Sequence, residues 1–348
     1  MTSACILGCS GPRLTADERD FFRDARPWGF ILFRRNVETP DQLRALTRSL
    51  RECVGREDAP ILVDQEGGRV QRLGPPHWPK YPTARAYGRA AGGDPARTRE
   101  LVRLGARLMA EDLRRVGITV DCVPVVDVPQ PGAHEIIGDR AYGEDPDTIA
   151  VLGRAAAEGL IAGGVLPVIK HIPGHGRATA DSHHDLPVVD ASLEALEASD
   201  FRPFRALSDM PMAMTAHVVY RAIDAKRPAT TSKKAIRLIR ERLGFDGLLM
   251  TDDLSMKALQ GSFEERAAAS LKAGCDLVLH CNGDMAEMRA VLEGVTKLKG
   301  EGKRRAAEVM RRFVRDPEPF DEAEARARFD EAFVGAVTAS SGPPAGEA

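Results

Sequence analysis

Eight short runs of apolar and β-branched residues recur along the chain, and stretches with helical periodicity separate them. The runs are ACILGC (4–9), WGFILF (28–33), PILVD (60–64), ITVDCVPVVD (118–127), LPVIKH (166–171), MPMAMTAH (210–217), GLLMTDD (247–253) and CDLVLHC (275–281). The helical stretches are 15–25, 41–54, 97–116, 146–163, 192–208, 232–243, 263–273 and 285–298. Apolar strands that alternate with amphipathic helices are typical of parallel strands buried on both faces. Eight such units predict an α/β fold of the (β/α)8 barrel type, with a doubly wound open sheet as the alternative.

Helix ends and domain limits can be read from single residues. Asp41 is expected to cap the second helix, and Ser192 is expected to cap the helix of SLEALEAS. Because no linker or change of composition divides the chain, residues 1–337 are predicted to form one catalytic domain. The tail at 338–348 is small, polar and rich in Pro and Gly, which is typical of disorder.

Charge and composition exclude several classes of protein. The chain has 49 Lys and Arg residues against 51 Asp and Glu residues, a net charge of −2. Proteins that bind nucleic acid or anionic membranes usually carry a basic excess, so neither partner is expected. The six cysteines form no CxxC pair, which indicates free thiols in a reducing compartment. No run approaches the roughly 18 apolar residues of a membrane helix, and we expect a cytoplasmic protein.

Ionisable or hydrogen-bonding groups end six of the eight apolar runs. These groups are Asp64 followed by Gln65 and Glu66, Asp127, Lys170 with His171, His217, Asp252 with Asp253, and His280 with Asn282. In a (β/α)8 barrel the carboxyl ends of all strands meet on one face, and catalytic residues lie there. The sequence therefore predicts an active site on that face.

The segment KHIPGHGRATADSHHDLP (170–187) holds four of the eight histidines. Loops of this length inside compact domains are usually functional. Asp181 and His183 are two residues apart, so the carboxylate can orient the imidazole and raise its pKa. Such a histidine can donate and then remove a proton near neutral pH. His171 ends a strand and is expected to contact a ligand, whereas His175 is expected to make a structural hydrogen bond.

The run GLLMTDD ends in two aspartates with different expected roles. Asp252 follows the apolar residues without a break and can serve as a nucleophile, a base or a metal ligand. Asp253 precedes LSMKAL, and we expect it to cap the next turn. Asp252 is the better candidate for chemistry, and its position alone leaves its three possible roles open.

Four separated motifs give the chain a resemblance to a known family. They are VDQEGGRVQR (63–72), IGDRAYGEDP (137–146), KHIPGHG with ADSHHDLP (170–187), and MTDDLSM (250–256). In these motifs the chain resembles the family 3 glycoside hydrolases, specifically the single-domain bacterial β-N-acetylhexosaminidases of cell-wall recycling. The resemblance extends from the first strand to about residue 300, and it implies the same barrel that the strand count predicts. The chain departs from the family pattern at Ile172 and at Ala141-Tyr142, outside the expected chemistry.

The resemblance also implies residue roles. Asp252 corresponds to the nucleophile of a retaining mechanism, His183 to the general acid/base, and Asp181 to its partner. The expected sugar-binding residues are Asp64, Arg72, Arg140, Lys170 and His171. The chain lacks the second sandwich domain of many family 3 β-glucosidases, which narrows the expected sugar to N-acetylglucosamine. The implied partner is a small sugar or glycopeptide, and no metal or other cofactor is expected.

Three alternatives stay open. A metal-dependent hydrolase would use His171, His183, His217 and Asp252, although no HxxxH or HxH ligand spacing occurs at a strand end. A sugar-binding protein without activity would need neither Asp252 nor the Asp181 and His183 pair. A family 3 phosphorylase would transfer the glycosyl group from Asp252 to phosphate, and a neutral histidine would not repel that anion. The leaving group and the oligomeric state are not readable from the sequence.

Overall fold

A computed structural model of the chain describes residues 2–178, 186–313 and 316–333. Eight parallel strands close into a barrel and follow one another around it in chain order. They are β1 (Ser3–Leu7), β2 (Pro27–Leu32), β3 (Ile61–Val63), β4 (Val120–Asp121), β5 (Leu166–Ile172), β6 (Met212–Thr215), β7 (Leu248–Asp253) and β8 (Leu277–His280). Because β8 pairs with β1, with Cys5 opposite Val278, the sheet has no free edge. The predicted (β/α)8 barrel is confirmed, and the open sheet is excluded.

Helices connect the strands on the outside of the barrel. They are α1 (Ala16–Ala25), α2 (Pro40–Val54), α3 (Ala86–Ala90), α4 (Pro95–Arg114), α5 (Pro146–Ala162), α6 (Leu193–Ala198), α7 (Phe201–Ala206), α8 (Lys233–Glu241), α9 (Phe263–Ala273), α10 (Met285–Glu293), α11 (Gly300–Arg311) and α12 (Glu322–Phe333). Each predicted helical stretch overlaps at least one of them, whereas α3, α11 and α12 were not predicted. The predicted disordered tail, 338–348, lies outside the described residues.

The ends of two helices test the predicted caps. The Ser192 hydroxyl accepts the Ala195 N–H at 3.2 Å, which confirms Ser192 as the cap of α6. Asp41 does not cap α2, because the helix begins one residue earlier at Pro40 and the Thr39 hydroxyl accepts the Gln42 N–H at 3.2 Å. Proline suits the first helical position because its missing N–H would lack an intrahelical partner there.

The fourth strand is much shorter than the apolar run that predicted it. The run covers 118–127, but the regular ladder of β4 contains only Val120–Asp121. Pro124 has no N–H to donate, so the regular ladder cannot continue through it. One further bridge joins Val125 to Lys170, so the chain still runs alongside β5 to the carboxyl end of the barrel.

Two buried layers fill the fold. Val168, Met212, Met214, Leu248 and Met250 belong to one core cluster formed largely by the barrel strands. Their sequence neighbours Ile169, Ala213 and Leu249 belong to a second cluster together with helix residues such as Phe204 and Ile239. Alternate strand residues therefore face opposite layers, and both layers exclude water. Because both faces of the strands are buried, the strand sequences are almost unbroken apolar runs.

Two short sheets lie beyond the barrel ladder. Gln65–Gly67 pairs antiparallel with Val70–Gln71, and Val188–Val189 pairs parallel with Val219–Tyr220. The turn of the first pair has Gly67 at φ 92° and Gly68 at φ 59°, a region that favours glycine. A Cβ atom at Gly67 would also lie 2.2 Å from a backbone oxygen. The hairpin returns the chain towards the end of β3.

Replacing a valine in the barrel core should cost far more stability than replacing one on the surface. Val168 is fully buried, whereas Val151 on α5 is 50% exposed. We expect Val168→Ala to lower the free energy of unfolding by about 1.5–3 kcal/mol, because it removes two buried carbon groups and leaves a cavity. Val151→Ala should change it by less than about 0.5 kcal/mol. Urea denaturation measures both, and equal losses would contradict the assigned core.

Candidate active site

Most of the predicted site residues meet at the carboxyl end of the barrel. Asp64 follows β3 directly, Lys170 and His171 lie in β5, and Asp252 lies in β7. Arg72 follows the glycine hairpin, and Arg140 closes the short 3-10 turn Gly138–Arg140. Asp181 and His183 lie outside the described residues. The strands thus bring together groups that are far apart in the chain.

Lys170 is the centre of a buried cluster of charges. Its ammonium Nζ lies 2.8 Å from Oδ1 of Asp64 and 2.7 Å from Oε1 of Glu66. Arg140 donates from Nε and Nη2 to the two oxygens of Glu66, both at 2.8 Å. Such a two-point pairing of a guanidinium with a carboxylate fixes geometry as well as charge. Sequence reasoning gave Glu66 no role, although its place two residues after Asp64 in the same motif was a usable signal.

Arg72 forms the border of this cluster. Its Nη2 lies 3.3 Å from Oδ2 of Asp64, and its guanidinium carbon lies 4.9 Å from the ring centre of Phe33. The aromatic face stabilises the cation and limits its movement. Asp64 is therefore held from two sides, by Lys170 and by Arg72.

Neighbouring opposite charges shift the pKa values of the charged groups in the cluster. Burial by itself would raise the pKa of Glu66, but Arg140 and Lys170 outweigh burial and the pKa of Glu66 is lowered. Burial would likewise lower the pKa of Lys170, and Asp64 with Glu66 instead raises that pKa. Burial raises the pKa of the neighbouring Asp121 on β4 well above its usual range, which favours the neutral form of this carboxyl. The ionised members are thus two carboxylates and their cations.

Asp127 positions His171. Its Oδ2 lies 2.7 Å from Nδ1 of His171, and its carboxylate also accepts the backbone N–H groups of His171 and His175. Burial would raise the pKa of Asp127, and His171 outweighs burial, so the pKa is lowered. An ionised Asp127 can only accept, so Nδ1 of His171 carries the proton. The sequence marked Asp127 as a strand end but did not predict this contact.

Asp252 lies in an irregular part of β7. The pairing of β7 with β8 shifts register between Met250 and Asp253, and Asp252 lies within the shift. Its carboxylate accepts the N–H of Asp253 at 2.8 Å. It also acts to raise the pKa of both His175 and His217, against the stronger effect of burial, which places all three groups in one electrostatic environment.

Asp253 has a structural role, as predicted. Its carboxylate accepts the N–H of Ser255 at 3.0 Å and the N–H of Cys281 at 3.2 Å. The first contact closes the turn after β7, and the second ties that turn to β8. Asp253 therefore fixes the strand end from which Asp252 extends.

A partly buried ion pair lies where the long loop leaves β5. Arg177 donates from Nε to Oδ2 of Asp200 at 2.7 Å. A Cβ atom at Gly176 would lie 2.0 Å from the carbonyl oxygen of Val128, so the two backbones can approach this closely only with glycine there. Both contacts hold the first part of the loop against the barrel.

Two broader properties concern only the described part of the chain. Its His, Cys, Asp and Glu side chains form no group of three or more that could hold a metal ion. Its helices are each too short or too polar to cross a bilayer. His217, one of the residues considered for a metal site, has a hydrogen bond to each of its ring nitrogens.

The fold and the site define a (β/α)8-barrel enzyme with a buried cluster of carboxylates and cations at the carboxyl end of the strands. The family model for the glycosyl hydrolase family 3 N terminal domain matches residues 9–315. The β-hexosaminidase of Methylococcus capsulatus is 41% identical over 303 residues, which is 85% of this chain and 89% of the relative. The β-hexosaminidase of Bordetella pertussis is 37% identical over 286 residues, 81% of each chain.

Solved structures of family 3 enzymes are also similar to this chain. NagZ from Neisseria gonorrhoeae, in complex with N-trifluoroacetyl-D-glucosamine, aligns with a TM-score of 0.82 and 32% identity over 97% of this chain and 98% of that one. A family 3 β-N-acetylglucosaminidase from Paenibacillus aligns with a TM-score of 0.81 and 30% identity, over 94% and 67% of the two chains. The chain belongs to glycosyl hydrolase family 3 and is a glycoside hydrolase, as the motifs predicted.

Removing the ammonium group of Lys170 should strongly destabilise the protein. Lys170→Met leaves Asp64 and Glu66 buried without their shared cation, and we expect a loss of about 3–5 kcal/mol in the free energy of unfolding. Urea denaturation at pH 7 measures this loss. Lys303→Met is the control, because Lys303 is exposed on α11. A loss below about 1 kcal/mol in Lys170→Met would contradict the buried cluster.

His175 should make stability depend on pH. Burial lowers the pKa of His175 from 6.5 to about 4, so between these values the unfolded chain binds more protons than the folded one. The resulting stability is present above pH 6.5 and falls as the pH decreases, by about 2 kcal/mol between pH 7 and pH 5. In His175→Gln this part of the slope should disappear. Unfolding free energies of both proteins at the two pH values test this, and identical slopes would refute it.

Proposed function

We propose that this glycoside hydrolase releases terminal β-linked N-acetylglucosamine with retention of configuration. The curated relatives carry the name β-hexosaminidase, and the Neisseria gonorrhoeae protein was solved with N-trifluoroacetyl-D-glucosamine, which supports this sugar. The proposed natural substrate is a cell-wall fragment of the muropeptide type, hydrolysed in the cytoplasm. The proposed catalytic unit is a single domain of residues 1–337.

The observation that carries the proposal is the buried cluster of Asp64, Glu66, Lys170 and Arg140. Two carboxylates face two cations at hydrogen-bond distance, so their charges nearly cancel. Because its charges nearly cancel, such a cluster does not attract a free ion strongly. Its side chains still offer hydrogen-bond donors and acceptors in fixed positions. Sugar hydroxyls both donate and accept, and hydrogen bonds to ionised partners are the stronger ones. The cluster is therefore suited to a neutral sugar.

Three of the proposed sugar-binding residues keep a hydrogen-bonding atom that their protein partners do not use. The proposed sugar-binding residues are Asp64, Arg72, Arg140, Lys170 and His171. In His171, Nδ1 is held by Asp127, so Nε2 is the ring nitrogen that can accept a hydrogen bond from a hydroxyl. Lys170 and Arg140 still carry N–H groups beyond those used by the carboxylates.

The proposed mechanism uses Asp252 as the nucleophile and His183 as the general acid and base. A carboxylate oxygen of Asp252 forms a bond to the anomeric carbon while the bond to the leaving oxygen breaks and His183 protonates that oxygen. Water then attacks the anomeric carbon, His183 takes its proton, and Asp252 is released. The roles of His183 and its partner Asp181 rest on the motif ADSHHDLP, because both residues lie outside the described residues.

Hydrolysis is favoured over transfer to phosphate by the pairing of the described cations. Phosphate binding needs cations whose charge is available to the anion. Lys170 faces two carboxylates, Arg140 is paired with Glu66, and Arg72 lies beside Asp64. Phosphate would have to compete with these buried partners. Addition of inorganic phosphate should therefore leave the rate and the product, free N-acetylglucosamine, unchanged.

The leaving group should separate the roles of the two catalytic residues. With chromogenic β-N-acetylglucosaminides, Asp252→Ala should lose at least about 10⁴-fold in kcat/KM for good and poor leaving groups alike. His183→Ala should lose about 10²–10⁴-fold with a poor leaving group and much less with a good one, because only a poor leaving group needs the proton. Steady-state rates with the two substrates measure both effects.

Matched surface variants control this experiment. Asp330→Ala changes an exposed residue of α12, and His77→Ala changes an exposed histidine in the loop after the hairpin; both should retain wild-type rates. Full activity in Asp252→Ala would refute the mechanism. Absence of cleavage by the wild type of both the N-acetylglucosaminide and the matching β-glucoside would refute the proposed function, and a sugar phosphate formed with added phosphate would replace hydrolysis by phosphorolysis.

A further inference from the structure

His217 is a fully buried histidine just beyond the end of β6, and both of its ring nitrogens are hydrogen-bonded. Nδ1 lies 2.7 Å from the hydroxyl of Thr230, and Nε2 lies 3.0 Å from the backbone carbonyl oxygen of Asp253. That carbonyl belongs to the residue that follows Asp252. The imidazole thus connects the end of β6 to the backbone beside the proposed nucleophile.

The backbone ladder explains why a side chain is placed there. The pairing of β6 with β7 runs from Met212 and Leu248 to Met214 and Met250. Beyond Met250 the chain enters the irregular stretch in which the register with β8 shifts. Bulges of this kind reorient side chains and are frequent beside active sites. On the β8 side, Asp253 is tied to the backbone of Cys281, and on the β6 side His217 supplies the hydrogen bond.

The hydrogen bonds define one tautomer of His217. A carbonyl oxygen can only accept, so Nε2 carries the proton and donates it to Asp253. Nδ1 of the neutral ring must then accept from Thr230, whose hydroxyl oxygen lies 2.8 Å from that of Thr215 and can accept from it in turn. The Ala216 carbonyl lies farther from the Thr230 hydroxyl, at 3.1 Å, than Nδ1 does. Burial lowers the pKa of His217, which keeps the ring neutral near pH 7.

We infer that His217 is a positioning residue for the proposed nucleophile: its Nε2–H holds the Asp253 carbonyl, which fixes the backbone of Asp253 and thereby the orientation of the adjacent Asp252 carboxylate. The inference rests on the proposed role of Asp252. The N–H of the same residue, Asp253, donates to the Asp252 carboxylate, so a shift of Asp253 moves both the backbone and a hydrogen bond of the nucleophile. Displacements of about 1 Å in such groups reduce rates by roughly 10²-fold.

Two substitutions at His217 separate positioning from packing. Met fills a similar volume but cannot donate, whereas the amide of Gln offers N–H donors on a chain of similar reach. We expect His217→Met to lose about 10²-fold in kcat/KM, equally for good and poor leaving groups, because attack by Asp252 is common to both substrates. His217→Gln should recover to within about ten-fold of wild type. The inhibition constant of N-acetylglucosamine should change by less than about three-fold, since the sugar contacts remain.

A second pair of variants leaves His217 in place. Thr230→Val removes the hydroxyl that donates to Nδ1 and leaves that buried nitrogen without this partner, so the ring is held less firmly against the Asp253 carbonyl. We expect about a ten-fold loss in kcat/KM, with recovery in Thr230→Ser. Thr47→Val is the control, because it removes a comparable buried hydroxyl bond, 2.9 Å to the carbonyl of Val116, on α2. It should lower the melting temperature and leave kcat/KM unchanged.

The outcomes distinguish this inference from the proposed function. A wild type that cleaves no N-acetylglucosaminide would overturn both. With an active wild type, the inference is overturned if His217→Met keeps its kcat/KM within about three-fold, or if Met and Gln lose activity equally. Should His217→Met not fold, equal activity of Thr230→Val and Thr230→Ser would overturn it instead. A loss in Thr230→Val with recovery in Thr230→Ser would support it.

Discussion

The ammonium group of Lys170 is buried and lies between the carboxylates of Asp64 and Glu66. Transferring three such charges from water costs several kcal/mol each, and only close opposite charges offset that cost. The arrangement holds together three separate parts of the chain: the end of β3 with its hairpin, strand β5, and the turn that bears Arg140. The shape of the proposed sugar site depends on this one balance of charge, because any of the charged groups left alone would need to be neutralised or solvated.

The proposed nucleophile, Asp252, is held by hydrogen bonds of the side chains and backbone around it. Asp252 lies where the regular pairing of β7 is interrupted, and side chains replace the missing backbone bonds. The Asp253 carboxylate accepts the N–H of Cys281 just after β8, and His217, just after β6, donates to the Asp253 carbonyl. The proposed site therefore combines a charged cluster, to which we assign sugar binding, with an irregular strand end, to which we assign the chemistry. Both are possible because the barrel itself supplies the stability that these parts do not.

Particular residues mark where sequence reasoning succeeded and where it did not. The eight strands were predictable because burial on both faces leaves long apolar runs, as in LPVIKH and GLLMTDD. The length of β4 was not, since Pro124 interrupts the ladder inside a run that remains apolar. Asp41 was wrong as a helix cap because Pro40 already begins the helix. Helix α12 was missed because it packs against α4, which lies over 200 residues earlier in the chain. Local periodicity does not reveal such a distant contact.

The sequence by itself determined the barrel, the family and the candidates Asp64, Arg72, Arg140, Lys170, His171 and Asp252, because strand ends and motifs are local in the chain. Only the tertiary structure decided which of these groups touch. It paired Glu66 with two cations and His171 with Asp127, and it brought His217 to the backbone carbonyl of Asp253, next to the proposed nucleophile. Ion pairs and hydrogen bonds depend on distances of about 3 Å between residues far apart in sequence, and only the closed barrel fixes those distances.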